Sequence, residues 1–313
     1  MSSAHPHYDR LIEAVRHLPP LRVAIVHPCS DVSIHAAVEA ASLGLIQPVL
    51  VGPAGKVSEA AALAGVDASA FELHDVPHSH AAAETAVKLA LSGQVDALMK
   101  GSLHTDELMG AVVRREGGLR TSRRISHCFV MDVPGHPQPL IISDAAINIV
   151  PTLEEKVDIV QNAIDLAHAV RLPEVRVALL SAMETVNPKV PSTLEAAALC
   201  KMADRGQITG AVLDGPLAMD NAIDLEAARI KGIVSPVAGR ANVLIVPDLD
   251  AGNMLAKSLS FLAQAYAAGV VLGAKVPIIL TSRADSRAAR LASCALASML
   301  ADARRSGRIK AVG

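Results

Sequence analysis

The chain carries no tryptophan, two tyrosines and three phenylalanines in 313 residues. Single-stranded nucleic acids need aromatic platforms to stack on, and duplexes need a basic face. With five aromatics and a net charge of −2, the sequence offers neither. Its four cysteines, Cys29, Cys128, Cys200 and Cys294, are scattered with no Cys-x-x-Cys pair, which argues against structural zinc and against a disulfide framework. They are expected as buried neutral thiols. The histidines show no ligand spacing on a helix face, so no metal site is expected, and His5, His7 and His17 read as solvated or tag-like. A long hydrophobic run is missing too. Apolar residues reach 51%, yet the longest candidate, 260–280, is broken by Gly269, Gly273, Lys275 and Pro277, which rules out a membrane span. The first ten residues hold no apolar core of a secretory signal, so cytoplasmic residence is the default expectation.

What is present is an alternation of short β-rich runs with helical patterns, the mark of a parallel sheet flanked by helices. Strands are expected at 21–26, 48–51, 95–99, 127–131 and 139–142, with helices from about Ser33, after Lys56 and near 81–91. The runs 127–131 and 139–142 flank the turn Pro134-Gly135-His136-Pro137, a hairpin that interrupts the alternation and announces a domain boundary. A second α/β unit opens with a helix at 153–170, led by Pro151 and Thr152, with Glu154 and Glu155 at its positive end. Strands follow at 176–180, 211–213 and 243–246, and helices at 192–203 and 252–267. The last helix, 284–303, is expected to pack back on the first unit. The expected architecture is two α/β domains, 1–148 plus 273–313 and 149–272, joined by two crossovers with a cleft between them. Domain interfaces are favoured ligand sites.

The apolar run 277–280 leads to Ser282 and Arg283, at a strand end where α/β proteins present their chemistry. A guanidinium matches carboxylate or phosphate with a planar fork, and the adjacent hydroxyl can donate to a developing oxyanion. The pair suggests an anion-handling transferase. A second strand end, Met99-Lys100-Gly101-Ser102-Leu103-His104-Thr105, opens a helix. Gly101 permits close backbone approach, Ser102 and Thr105 can cap, and free amides there favour an anion. His104 is a base or a phosphate donor, set against the plainer reading of a histidine beside a cap. Arg124 closes a basic cluster and alternates with Ile125, which turns it toward the expected cleft. Asp144 and Asn148 bring a carboxylate and an amide to another strand end, as cap or as polar cleft residues. Gly252 and Asn253 form a turn running straight into a helix that carries Lys257.

Taken in order, these segments resemble the phosphate acetyltransferase and phosphate butyryltransferase family. The resemblance rests on Met99-Lys-Gly-Ser-Leu-His-Thr, Gly118-Leu-Arg-Thr, Ser143-Asp-Ala-Ala-Ile-Asn-Ile, Asp214-Gly-Pro-Leu, Lys231-Gly-Ile, Ser235-Pro-Val-Ala-Gly, Val246-Pro-Asp-Leu, Ala251-Gly-Asn and Thr281-Ser-Arg-Ala-Asp-Ser. It covers nearly the whole chain after Leu21. It implies reversible acyl transfer between coenzyme A and inorganic phosphate, with CoA, acyl phosphate and phosphate as substrates and no bound cofactor. It also implies an isocitrate/isopropylmalate dehydrogenase-like pair of domains and a homodimer or higher homo-oligomer. By the same resemblance Ser282 hydrogen-bonds the reacting oxygen or thiol, Arg283 takes the phosphoryl group and Arg124 matches a further family arginine; Ser102, His104, Thr105, Asp144 and Asn148, by their strand-end places, are expected as further substrate-binding residues. Gly252, Asn253 and Lys257 fall to CoA. Acetyl-type members carry an aspartate seven residues after the serine, and that position here is Ala289. The base is then Asp285, Asp144 or His104, or the thiol needs none; the acyl group is acetyl or butyryl.

Two other readings compete. A decarboxylating hydroxy-acid dehydrogenase of similar fold would need a metal-binding aspartate set and a nicotinamide loop, and the sequence shows neither. A non-catalytic acyl-CoA-binding regulatory domain would not need Ser282 and Arg283.

Overall fold

The computed structural model of the protein describes residues 4–280 and 285–310. Ser282 and Arg283 lie outside the described residues, whereas Asp285 lies within them. In chain order the elements begin with α1 (Pro6–Val15), β1 (Leu21–Val26), α2 (Asp31–Ser42), β2 (Ile46–Gly52), α3 (Ala54–Ala64), β3 (Glu72–Asp75), α4 (Ser79–Leu91), β4 (Ala97–Lys100) and α5 (Thr105–Val112). They continue with β5 (Ser126–Asp132), β6 (Leu140–Ser143), α6 (Leu153–Ala169), β7 (Arg176–Leu180), α7 (Pro191–Asp204), β8 (Val212–Leu217), α8 (Met219–Ile223), α9 (Leu225–Ile230), β9 (Val243–Ile245) and α10 (Leu249–Leu262). The chain closes with β10 (Tyr266–Leu272), β11 (Ile278–Ile279) and α11 (Arg287–Arg305). This is an α/β fold with mixed sheet.

The chain forms two compact units, one of Tyr8–Arg123 with Ala268–Gly307, the other centred on Arg124–Ala267. The sequence division at 148/149 leaves β5 and β6 with the first unit, whereas here both group with the second. In the first unit the strand order is β3-β2-β1-β4-β11-β10. All neighbours are parallel except β10 and β11. Val23 to Val26 on β1 are fully buried, as are Ile278 and Ile279 on β11. The inner strands therefore read as continuous apolar runs, as strands covered on both faces do. α11 belongs to this unit, with Leu296, Ala297 and Leu300 fully buried.

In the second unit the order is β5-β6-β9-β7-β8. β5 and β6 form the antiparallel hairpin expected from the sequence, and the other neighbours are parallel. Ser143 at the end of β6 pairs with Ile245 of β9, so these two carboxyl ends stand level. Met131, Leu140, Ile142, Ala178 and Leu244 form the heart of this unit's core.

Three expectations need correction. The helix placed at 252–267 ends at Leu262, because Gln264 takes a left-handed φ of 56° and the chain turns into β10, whose Val270 and Val271 are fully buried. His5 is not solvated or tag-like: its ring stacks on Tyr266 with centroids 3.5 Å apart and planes 10° from parallel, just before α1. Cys128 and Cys294 are buried as expected, but Cys29 and Cys200 are only half-buried. Burial pushes Cys128, Cys200 and Cys294 up to about 12, so these thiols stay neutral near pH 7. Among the described residues no helix is long and apolar enough to cross a membrane.

Candidate functional site

The sequence-predicted residues fall into two groups, one in each unit. In the first, β4 ends at Lys100 and the chain turns through Gly101, Ser102 and Leu103 into α5. Gly101 is required there, since a Cβ would lie 2.5 Å from the carbonyl oxygens of both Val26 and His27. The Ser102 hydroxyl donates to the His27 carbonyl at 2.8 Å, lies 3.1 Å from His27 Nδ1 and accepts from the Cys29 N–H at 3.3 Å. It thus locks the turn after β1, where His27 adopts a φ of 56°. Burial lowers the His27 pKa, helped by the positive charge of Lys56.

The helix cap also differs from expectation. His104, not Ser102 or Thr105, is the N-cap of α5, and Thr105 is its first helical residue; both are exposed. The Glu107 carboxylate accepts the His104 N–H at 3.4 Å, binds the Ser79 hydroxyl and stands 3.3 Å from His80 Nδ1. The Ser79 bond chiefly holds the Glu107 carboxyl below its ordinary value. Asp285 is half-buried and precedes Ser286, whose hydroxyl caps α11 by accepting the Ala289 N–H at 3.1 Å. Ala289 itself is 8% exposed, in the first turn of that helix.

The second group is one connected network. The buried Asp144 carboxylate accepts the backbone N–H groups of Ala146 at 2.9 Å and Ile147 at 3.0 Å through Oδ1. Through Oδ2 it accepts the Asn148 backbone N–H at 3.2 Å and the Asn148 side-chain amide at 2.6 Å. That amide also donates to the Ile125 carbonyl at 2.9 Å, which fixes its orientation. Asn148 Oδ1 is left to accept Arg124 Nε at 2.7 Å. The Arg124 Nη1 meets Glu155 Oε1 at 2.8 Å, its backbone N–H donates to Asp158 at 2.7 Å, and its carbonyl accepts from Asn162 at 2.9 Å.

Helix α10 closes the network from the other side. A Cβ on Gly252 would stand 2.7 Å from the Asp144 carbonyl oxygen, so only glycine lets the helix seat against this turn. Asn253 Nδ2 then donates to the Ala145 carbonyl at 3.2 Å. Arg124, Asp144, Asn148, Gly252 and Asn253 are therefore brought together by direct bonding and packing. Lys257 lies one helical turn beyond Asn253 and is exposed. About half of the Arg124 side chain, 49%, reaches solvent, so a guanidinium fixed at Nε and Nη1 presents a positive charge of set orientation. Such a group can bind a carboxylate, a phosphate or a phosphoanhydride.

Sequence reasoning missed Glu155 as the second holder of Arg124, though its place in the first turn of α6 was visible. It also missed His127, 1% exposed on β5 beside Asp144, with its ring edge-on to Phe129 at 4.4 Å. Burial lowers the His127 pKa to about 4, with the Asp144 charge opposing, so the imidazole is neutral near pH 7. Nothing in the local sequence separates His127 from an ordinary strand residue.

The family model for phosphate acetyl/butaryl transferase matches residues 79–298. A phosphate acetyltransferase from Rhizobium meliloti is 63% identical over 305 residues, spanning 97% of this chain and 96% of its own. A phosphate butyryltransferase from Clostridium beijerinckii is 39% identical over 294 residues, spanning 94% and 97%. The crystal structure of a branched-chain phosphotransacylase from Enterococcus faecalis superposes with a TM-score of 0.79 at 29% identity, covering 90% of this chain and 99% of that one. The family model covers more than half of the chain and the Rhizobium meliloti relative nearly all of it, and the chain belongs to the phosphate acetyl/butyryl transferase family.

Proposed function

We propose that this protein catalyses the reversible transfer of an acetyl or short-chain acyl group between coenzyme A and inorganic phosphate. In the direction of thioester formation, the CoA sulfur attacks the carbonyl carbon of an acyl phosphate, a tetrahedral oxyanion forms, and the carbon–oxygen bond to phosphate breaks as the thioester carbonyl returns. The thiol proton is lost and phosphate departs as a dianion or monoanion. A CoA thiol has a pKa near 8.5, so a base or a positive field assists its ionisation, and the departing phosphate needs fixed cations.

The observation that carries this reading is the Arg124–Asn148–Asp144 network buttressed by Gly252 and Asn253, which joins two separated family motifs to Arg124 and its oriented guanidinium. We assign Arg124 to an anionic group of the substrate. The Asp144 carboxylate accepts four hydrogen bonds, and we assign it to bracing its turn rather than to the proton. Ser282 is assigned to the reacting oxygen or thiol, where one oriented donor contributes about 3–4 kcal/mol to the barrier. Arg283 is assigned to the phosphoryl group and Asp285 to the proton. Asn253 holds the α10 turn, and Lys257, exposed on the same helix, is assigned to the phosphates of CoA. Ser102 acts by bracing the His27 turn, with His104 and Thr105 presenting the start of α5. Cytoplasmic residence, a homodimer or higher homo-oligomer, and a likeness to the isocitrate and isopropylmalate dehydrogenases belong to the same proposal. No observation favours the non-catalytic acyl-CoA-binding reading.

The test is CoA-dependent phosphate release from acetyl phosphate and from butyryl phosphate by the purified protein. Turnover with at least one is expected, and the ratio sets the acyl preference. CoA binding without turnover on either would overturn the reading.

A further inference from the structure

We propose that Lys100 binds the phosphoryl group of the substrate, an inference that rests on the acyl-transfer reading above and adds a residue to it. Lys100 is the last residue of β4, the strand held between β1 and β11. The register sets Val26 beside Lys100 on one side and Ile279 beside Met99 on the other, so Leu280 follows level with Lys100. All three strands run the same way, and Lys100 stands at their carboxyl edge, where ligands of α/β sheets bind.

Its side chain is held in place there. The residue is only 9% exposed, and Nζ donates to the carbonyl oxygens of Gly101 and Leu103 at 3.3 Å each. The turn after β4 therefore folds back over its own lysine. Gly101 allows this by bringing the turn against the carbonyls of Val26 and His27, closer than any side chain would tolerate. The Ser102 hydroxyl, the other polar group of this turn, is committed to His27. The Lys100 ammonium is the cationic group of this turn. A buried ammonium at a ligand-binding edge suits a ligand that is itself anionic, and a phosphoryl group carries about two negative charges on oxygens spread around a point.

Lys100→Gln keeps a donor for the turn carbonyls and removes the charge. Initial rates with phosphate and acetyl-CoA varied separately are expected to show KM for phosphate raised roughly 10- to 100-fold, the loss that fits one charge-assisted hydrogen bond. KM for acetyl-CoA and the Tm are expected to stay near wild type. An unchanged phosphate KM, or equal rises for both substrates, overturns the assignment in favour of a purely structural lysine. Should K100Q be insoluble, Lys100→Arg carries the test, because it keeps the charge and displaces it. Phosphate KM must then shift by more than acetyl-CoA KM, and equal shifts overturn the role. The unaltered enzyme separates the two ideas. If it transfers no acyl group, the reaction and this inference fall together; if it does and K100Q matches it, only the role of Lys100 falls.

Discussion

A methyl group on Gly252 would stand 2.7 Å from the Asp144 carbonyl oxygen and 2.8 Å from Val246 Cγ2. Neither neighbour is the loose end of a long side chain, so Gly252→Ala has to push α10 off the turn that carries Asp144 and Asn148. A loss of about 1–3 kcal/mol in urea unfolding is expected, with a fall in acyl transfer as Arg124 loses its settled partner. Wild-type values of both would show that the turn yields freely. His127 makes a different kind of prediction. It titrates near 6.5 in the unfolded chain and near 4 when folded, because burial disfavours the imidazolium. Between those values the unfolded chain holds the proton and the native one does not, so stability is full above about 6.5, falls as pH drops toward 4, and loses nothing more below. Comparing wild type with His127→Gln at pH 7, 6, 5 and 4 isolates this contribution from the carboxylates. The advantage of the wild type should shrink steadily across the window; a difference that stays constant would count against a buried neutral histidine. These single residues were unequally legible. Asp144, Asn148, Gly252 and Asn253 announce themselves as polar and glycine positions at strand ends, yet the bond from Asn253 to Ala145 spans 108 positions and has no local trace. Lys100 stands in the quoted run from Met99, yet nothing there marks it as buried, since its burial depends on the turn that closes over it.

Helix α6 ties a cap to the candidate site. Thr152 accepts the Glu155 N–H at 3.3 Å, and Glu155 Oε2 accepts the Thr152 N–H at 2.9 Å while its Oε1 holds Arg124 at 2.8 Å. One carboxylate thus serves the helix start and the guanidinium together. Thr152→Ala is expected to cost about 1 kcal/mol in unfolding free energy with turnover little changed. Glu155→Ala removes the cap's return bond and a holder of Arg124, so it should lower turnover as well as stability. If the two variants lose turnover equally, Glu155 acts only through the cap. Pro151 and Thr152 ahead of the helix, with Glu154 and Glu155 at its positive end, made it easy to place, from Leu153 to within a residue of its end at Ala169. β1 and β7 were equally plain as short apolar runs, each carrying a single arginine near its start, Arg22 and Arg176. β3 was not, because Glu-Leu-His-Asp at the sheet edge has a single apolar residue, Leu73, and is mostly exposed, without the alternation that marks a strand. β10 was hidden by the alanine-rich lead 263–268, which reads as more helix, and the left-handed Gln264 turns the chain between the two elements.

At the scale of the whole molecule, the first unit is made of two stretches far apart in the chain, and its topology says what each contributes. Residues 8–123 supply β1 to β4, while β11, which covers the open side of β4, and α11, which is buried along much of its length, come from 268–307. Leu98 donates its N–H to the Pro277 carbonyl at 3.1 Å, and both Leu98 and Ile278 are fully buried. Residues 8–123 alone would leave that strand edge and its apolar faces in water, so they should show no cooperative unfolding in urea. The two stretches also run side by side where the chain leaves and re-enters the unit. Arg120 bridges Ala274 in antiparallel fashion, the Thr121 hydroxyl donates to the Gly273 carbonyl at 2.6 Å, and the Lys275 N–H donates to Leu119 at 2.9 Å. From that point Ala268 lies back along β10 by roughly 17 Å at the rise of a strand, so a flexible glycine-serine linker long enough to cover that span can replace 124–267. The joined chain, 8–123 followed by the linker and 268–307, should regain a single cooperative transition with native-like circular dichroism. If 8–123 unfolds cooperatively by itself, α11 and β11 are accessories to that unit rather than part of its core. If the joined chain stays unfolded, the unit draws its stability from residues outside both stretches.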